Sequence, residues 1–397
     1  MTKSEKFHLN IFNGLLFLAY PFLAIPGIIR SLANNSKASV ILYSLLVSFI
    51  SFLFRPTLEM DKSRHMYFYD ICKNLPFAGF IQLNFQDSPD FIFRLAMYIA
   101  ATLSIRVHLI FFVVTFFSVY LVFLVYKKYV DNLNINIGWL VLLLFITSIS
   151  YIDILSGMRY TLATAFAFYG YHQGMFNNNR KLGMFWLIFA VFTHFSTILF
   201  AIAYAAMPLL SKLSFNFLRG CLAFTLLFLI VPQDFILDLF KSIGLGGALN
   251  EKVDAYLDVG GEAIQKTFAQ NFIDFFNILW VYVLNAYFIF KKRSLSRVSI
   301  LIISLLIVTN LFISFPIIYN RYALFIKMVL VMYLLNEHIK LENFRLTKIF
   351  VSIFVIICIN QIIILRPSLI EIFTPGIFNW NLFYQLGENN FNLNDLQ

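Results

Sequence analysis

Arg159 stands in Ser156-Gly157-Met158-Arg159-Tyr160, at the head of an apolar stretch that continues to Phe176. A charge within a membrane span costs roughly 2.5–3.5 kcal/mol on insertion scales, so such a residue is a candidate for function. The chemistry that suits a guanidinium there is a bidentate grip on a phosphate. Backbone N–H groups in the first turn of a helix, together with its dipole, favour an anion at the same place. The bland alternative is an arginine that snorkels to the interface, with Tyr160 beside it as an anchor.

Three other stretches carry comparable side chains. In Asp61-Lys62-Ser63-Arg64-His65-Met66-Tyr67-Phe68, helical spacing places Asp61, Arg64, His65 and Phe68 on one face. That face offers a carboxylate, a fixed cation and an imidazole beside aromatic rings, a set able to bind phosphate, stack a sugar and supply a general base. An Asp61–Arg64 ion pair on a solvated loop would use the same spacing. His194 interrupts Phe189-Ala190-Val191-Phe192-Thr193-His194-Phe195-Ser196-Thr197, where an imidazole either satisfies a buried hydrogen bond or transfers a proton. Arg321, in Ile318-Tyr319-Asn320-Arg321-Tyr322, opens another apolar run, and Lys327 lies two turns deeper. No spacing marks a metal site, no cofactor motif is present, and Walker, Rossmann, zincin and nucleophile-elbow patterns are absent.

The elements that must position these residues are membrane helices. Of the 397 residues, 60% are hydrophobic and 13% charged, with a mean hydropathy of +0.80; a soluble domain is nearer 25% charged. Apolar runs of membrane length recur throughout, predicting an all-α polytopic integral membrane protein, a single transmembrane domain over 1–397, with about twelve spans (range about 10–13). These fall near 11–29, 38–54, 107–126, 136–152, 158–175, 182–193, 196–210, 218–232, 271–290, 298–315, 319–335 and 348–365. The net charge of +10 needs no nucleic acid, because short basic clusters between spans are the usual topology signal. With those clusters in the cytoplasm, 91–105 must lie on the outer surface and 182–210 must turn at His194-Phe195-Ser196. The outer loops 55–106 and 233–270 and an outer tail, 366–397, then hold most of the remaining polar chemistry. Cys72, Cys221 and Cys358 are scattered and predict no disulfide.

Taken in order, Asp61-x-x-Arg64-His65, then Gly157-x-Arg159-Tyr160-x-Leu162-Ala163 with Arg180-Lys181 about twenty residues on, then Phe192-x-His194-x-Ser196, resemble the EpsG/Wzy group of bacterial polysaccharide polymerases. Asn320-Arg321-Tyr322 is similar to a later arginine motif of that group. Met66 separates the Arg-His pair from Tyr67, and Tyr160 follows Arg159; members of the group often carry an aromatic and a glutamine at these places. The resemblance implies a GT-C-like enzyme of the bacterial inner membrane, with its site on outward-facing loops. It would join oligosaccharide repeat units carried on undecaprenyl diphosphate, with no cofactor, and leaves room for a chain-length regulator as partner. Asp61, His65 and His194 would then be candidate bases. Arg64, Arg159, Arg321, Tyr67 and Tyr160 would contact diphosphate or sugar. An O-antigen ligase would share the substrate, but loop 233–270 lacks the arginine and histidine expected of one. A lipid-oligosaccharide flippase would line a path through the membrane, whereas these charges gather at the outer ends of spans. An acyltransferase is weaker still, because His194 has no acidic neighbour in sequence.

Overall fold

The computed structural model describes residues 3–34, 36–58, 60–87, 90–130, 135–231, 268–291, 296–339, 344–373 and 381–388. Loop 233–270, apart from its last three residues, therefore lies outside the described residues. Among the described residues the chain is helical and contains no strand. Among these described residues three stretches, Val107–Val130, Ile318–Ile339 and Phe344–Ile372, are long and apolar enough to cross a membrane. Other apolar stretches among the described residues are 10–17 residues long, shorter than the roughly 20 residues a straight crossing needs. The protein is thus an all-α membrane protein. Two compact units divide it: residues 1–201 with 358–397, and residues 202–357.

The first unit begins with α1 (Lys3–Ala19) and α2 (Ile25–Ala33). The single span expected over 11–29 is therefore two helices. Pro21 has no N–H to continue the first and disfavours the α conformation in Tyr20, while Pro26 suits the start of the second. Next come α3 (Lys37–Leu53), α4 (Asp61–Cys72), α5 (Phe77–Asp87), α6 (Phe91–Thr102) and α7 (Val107–Val130). At 12 residues, α6 is about 18 Å long, too short for a hydrocarbon core of ~30 Å. The chain continues through α8 (Ile135–Ser148), α9 (Tyr151–Leu155), α10 (Met158–Tyr171) with a π turn at His172–Phe176, and α11 (Arg180–Thr193). At His194 the backbone becomes extended (φ −151°, ψ 112°), and a 3-10 turn at Phe195–Thr197 leads into α12 (Ile198–Leu210). The expected break in 182–210 falls at that histidine.

Small residues let these helices approach closely. Ser44 and Ser48 return their hydroxyls to carbonyls of α3 itself, and Thr115 of α7 donates to Ser51 of α3 at 3.0 Å. A Cβ on Gly170 would stand 2.9 Å from the Gly183 carbonyl oxygen, so α10 and α11 can pack this tightly only with glycine there. One end of the α10–α11 pair is basic: Lys127 and Lys128 close α7, Tyr129 meets the His172 ring at 5.7 Å, and Arg180-Lys181 start α11. The opposite end holds Arg159 and His194.

The second unit contains α13 (Phe215–Thr225), α14 (Phe268–Phe290), α15 (Arg297–Asn310) and α16 (Pro316–Leu334). A buried amide network ties three of them together. The Asn310 amide donates to Thr225 Oγ1 at 3.2 Å and to Asn285 Oδ1 at 3.0 Å. Helix α17 (Phe344–Phe373) follows, and α18 (Leu382–Glu388) completes the chain's described part. Arg106 fastens α18 within the first unit, donating to the carbonyls of Leu386 (2.8 Å) and Gly387 (3.0 Å).

Candidate functional site

Helix α4 is anchored through its buried stripe, Lys62, Ser63, Met66, Tyr69 and Cys72. Lys62 is fully buried, and its ammonium donates to the carbonyls of Ser51 (2.6 Å) and Phe54 (2.7 Å) at the end of α3. Those carbonyls have no partner within their own helix, so a lysine cap satisfies them. Burial among the rings of Phe54 and Phe111 pushes the Lys62 amine well below its usual range. Two turns further along that stripe, the Tyr69 hydroxyl donates to the Ile105 carbonyl.

This anchoring presents the face predicted from sequence. Asp61 and Arg64 form a 3.3 Å ion pair, with the arginine side chain 73% exposed. The solvated pair is therefore what these two residues make. Tyr67 is also exposed. His65 turns inward, its ring 4.7 Å from that of Phe93, while the Arg94 guanidinium lies 5.1 Å from the Phe68 ring. The start of α6 thus packs on the middle of α4.

Arg159, in the first turn of α10, points at the residue just before α6. Its Nη1 is 2.8 Å from Asp90 Oδ2, with the arginine side chain 23% and the aspartate 5% exposed. Asp90 occupies the N-cap position of α6 but makes no side-chain cap bond to that helix. Its other oxygen instead accepts the Phe195 N–H at 2.6 Å. One carboxylate therefore joins the start of α10, the start of α6 and the break after α11.

His194 is fixed from two sides. Its Nδ1 accepts the Ser196 N–H at 3.3 Å and lies 3.0 Å from the Ser196 hydroxyl, and its ring stands edge-on to Tyr160 at 5.4 Å. Because a backbone N–H can only donate, a neutral His194 carries its proton on Nε2. Tyr160 is buried packing against this ring.

His65 senses the whole cluster. Burial lowers its pKa well below the usual imidazole range, and the positive charges of Arg159, Arg94 and Arg64, with that of His194 when protonated, lower it further. Neutral His65 has an acceptor nitrogen, and its ring makes no hydrogen bond among the described residues. The first unit thus brings together His65, Arg94, Arg159, His194 and Asp90, with Asp61 and Arg64 at the exposed margin. Arg321 belongs to the second unit, half-buried in the second turn of α16. Lys327, deeper in α16, stacks its ammonium 4.7 Å over Phe354. Asp90 and Arg94 are members of this cluster that no motif in the sequence marks. The available signal was an aspartate directly before an apolar helix, which reads as a cap.

A helical membrane protein with arginines and a half-buried neutral imidazole gathered at the end of its helices has the means to hold an anionic group and take up a proton. The chain belongs to the EpsG family, whose model matches residues 40–370, a range that includes every residue of this cluster. It is accordingly a polysaccharide polymerase-type membrane protein. Neither a curated protein nor a solved structure gives a match.

Proposed function

We propose that the protein is a glycosyltransferase that polymerises oligosaccharide repeat units linked to undecaprenyl diphosphate, at the outer face of a bacterial inner membrane. The observation that carries this reading is one cluster at the start of α10 and on the α4–α6 contact, with Arg159 paired to Asp90 at 2.8 Å, Arg94 over the Phe68 ring and His65 against Phe93. Both arginines hold the imidazole toward its neutral form. The guanidinium of Arg159 has five N–H donors, and among the described residues it spends one nitrogen on Asp90. The remaining donors can take the diphosphate of a lipid-linked donor. Lys127, Lys128, Arg180 and Lys181 at the opposite end of α10 and α11 support an outward site, since basic residues flank cytoplasmic ends.

In this mechanism the hydroxyl of an incoming repeat unit attacks the anomeric carbon of the growing chain. The hydroxyl proton passes to His65, a glycosidic bond forms, and the bond from carbon to diphosphate breaks. Undecaprenyl diphosphate leaves with the electron pair, its charge held by Arg159 and Arg94. His194 donates from Nε2 and so steadies an oxygen at the site. Asp61 serves with Arg64 at the rim. The role of Arg321 in gripping diphosphate rests on its sequence pattern alone. Deleting the gene and running the surface polysaccharide as a ladder tests the reading. Glycan capped at one repeat unit supports a polymerase. Complete loss of surface glycan would point to a ligase or flippase, and an unchanged ladder would remove the protein from polymerisation.

A further inference from the structure

Asp90 is a buried carboxylate, its side chain 5% exposed, and it is shared between Arg159 at 2.8 Å and the Phe195 N–H at 2.6 Å. Burial leaves this ion pair little screened by water and salt. The Arg159 side chain is 23% exposed, so the arginine lies nearer the surface with the carboxylate behind it. An anion arriving at Arg159 therefore meets a guanidinium whose charge is already partly neutralised. It must share that cation with Asp90 or draw it away.

We propose that Asp90 is a positioning residue that competes with diphosphate for Arg159, aiming its fork and limiting how tightly the site retains the polyprenyl diphosphate product. The inference rests on the proposed polymerase reading. A polymerase that repeats its reaction must release undecaprenyl diphosphate after every bond. An unopposed arginine fork in a poorly hydrated site would hold that product for long times, because affinity differences fall mostly on the off-rate. Asp90 supplies a resident counter-ion that takes the guanidinium back as the product leaves. Through Phe195 the same carboxylate fixes the backbone next to His194, so the cation and the donor imidazole keep one register.

Competition for one cation is a coupling free energy between carboxylate and ligand. Asp90→Asn keeps a carbonyl oxygen for the Phe195 N–H and removes the negative charge. The experiment is calorimetric titration of purified protein in detergent with farnesyl diphosphate as probe, alongside in vitro polymerisation kinetics. The expected result for Asp90→Asn is tighter probe binding by about fivefold or more, with KM and kcat both reduced. Asp90→Glu, which restores the charge, should return the affinity toward wild type. Unchanged or weaker binding in Asp90→Asn, with wild type and Asp90→Glu both binding the probe, overturns the inference and leaves the polymerase reading standing. Wild-type protein that binds no diphosphate, or Arg159→Ala that binds as well as wild type, overturns both. A rise in KM with kcat unchanged would also contradict the counter-ion role, since it would mean that Asp90 assists binding.

Discussion

The Lys62 ammonium lies 2.6 Å from the carbonyl oxygen of Ser51, so the helix bearing the candidate base is hung from the end of its predecessor. A buried lysine is an expensive fastener, and the rings of Phe54 and Phe111 surround it. Lys62→Met should keep the apolar stem and strand the carbonyls of Ser51 and Phe54. The expected cost is about 1–3 kcal/mol, read as a lower midpoint in thermal unfolding of the detergent-solubilised protein. A midpoint equal to wild type would mean that these bonds contribute nothing net.

His65 has its pKa lowered by burial first and by Arg159 and Arg94 next. The unfolded imidazole titrates near ~6.5, so the folded group stays neutral, and competent as a base, below that pH. The acid limb of the polymerisation rate should therefore lie below ~6.5. Arg94→Gln should move it upward. The linked stability has the same sign: it is fully present above ~6.5 and is withdrawn as pH falls toward the folded pKa, because the unfolded chain takes up the proton first. An acid limb above ~6.5 would contradict the assignment of His65 as base.

The two histidines are separable. Ser196 donates to His194 Nδ1, which leaves Nε2–H as a donor that glutamine can partly replace. His65→Gln should lose about 10²–10⁴ in rate, as for removal of a general base, and His194→Gln about tenfold or less. Equal losses in an in vitro polymerisation assay would contradict the division of roles.

The face of the membrane is a separate question. Single cysteines placed at Asp70, exposed on α4, and at Arg180, at the start of α11, should label from opposite sides, the first from outside. Labelling of both from one side would refute the proposed orientation.

The legible parts of the structure were local ones. The α4 face followed from i, i+3, i+4 and i+7 spacing, and α4 is a helix over Asp61–Cys72. The break in 182–210 fell at His194, the one histidine in a largely apolar run. The split of the first span at Pro21 was equally local and was available in the sequence. The link between Asp90 and Arg159 was not. It joins residues far apart in the chain, and an aspartate before an apolar helix already has an ordinary meaning as a cap. Lys62 was hidden in the same way, since its partners are backbone carbonyls that no side-chain pattern announces.

The central claim is that Arg159 grips diphosphate with a planar fork, and its conservative variant tests that most directly. Arg159→Lys keeps the charge and loses the fork. Assayed with purified lipid-linked repeat units, and with membrane abundance matched to wild type, the variant should polymerise at least about 10²-fold more slowly, as expected for loss of an oriented donor set. A rate near that of wild type would mean that a point charge suffices there and that the fork is not what holds the leaving group.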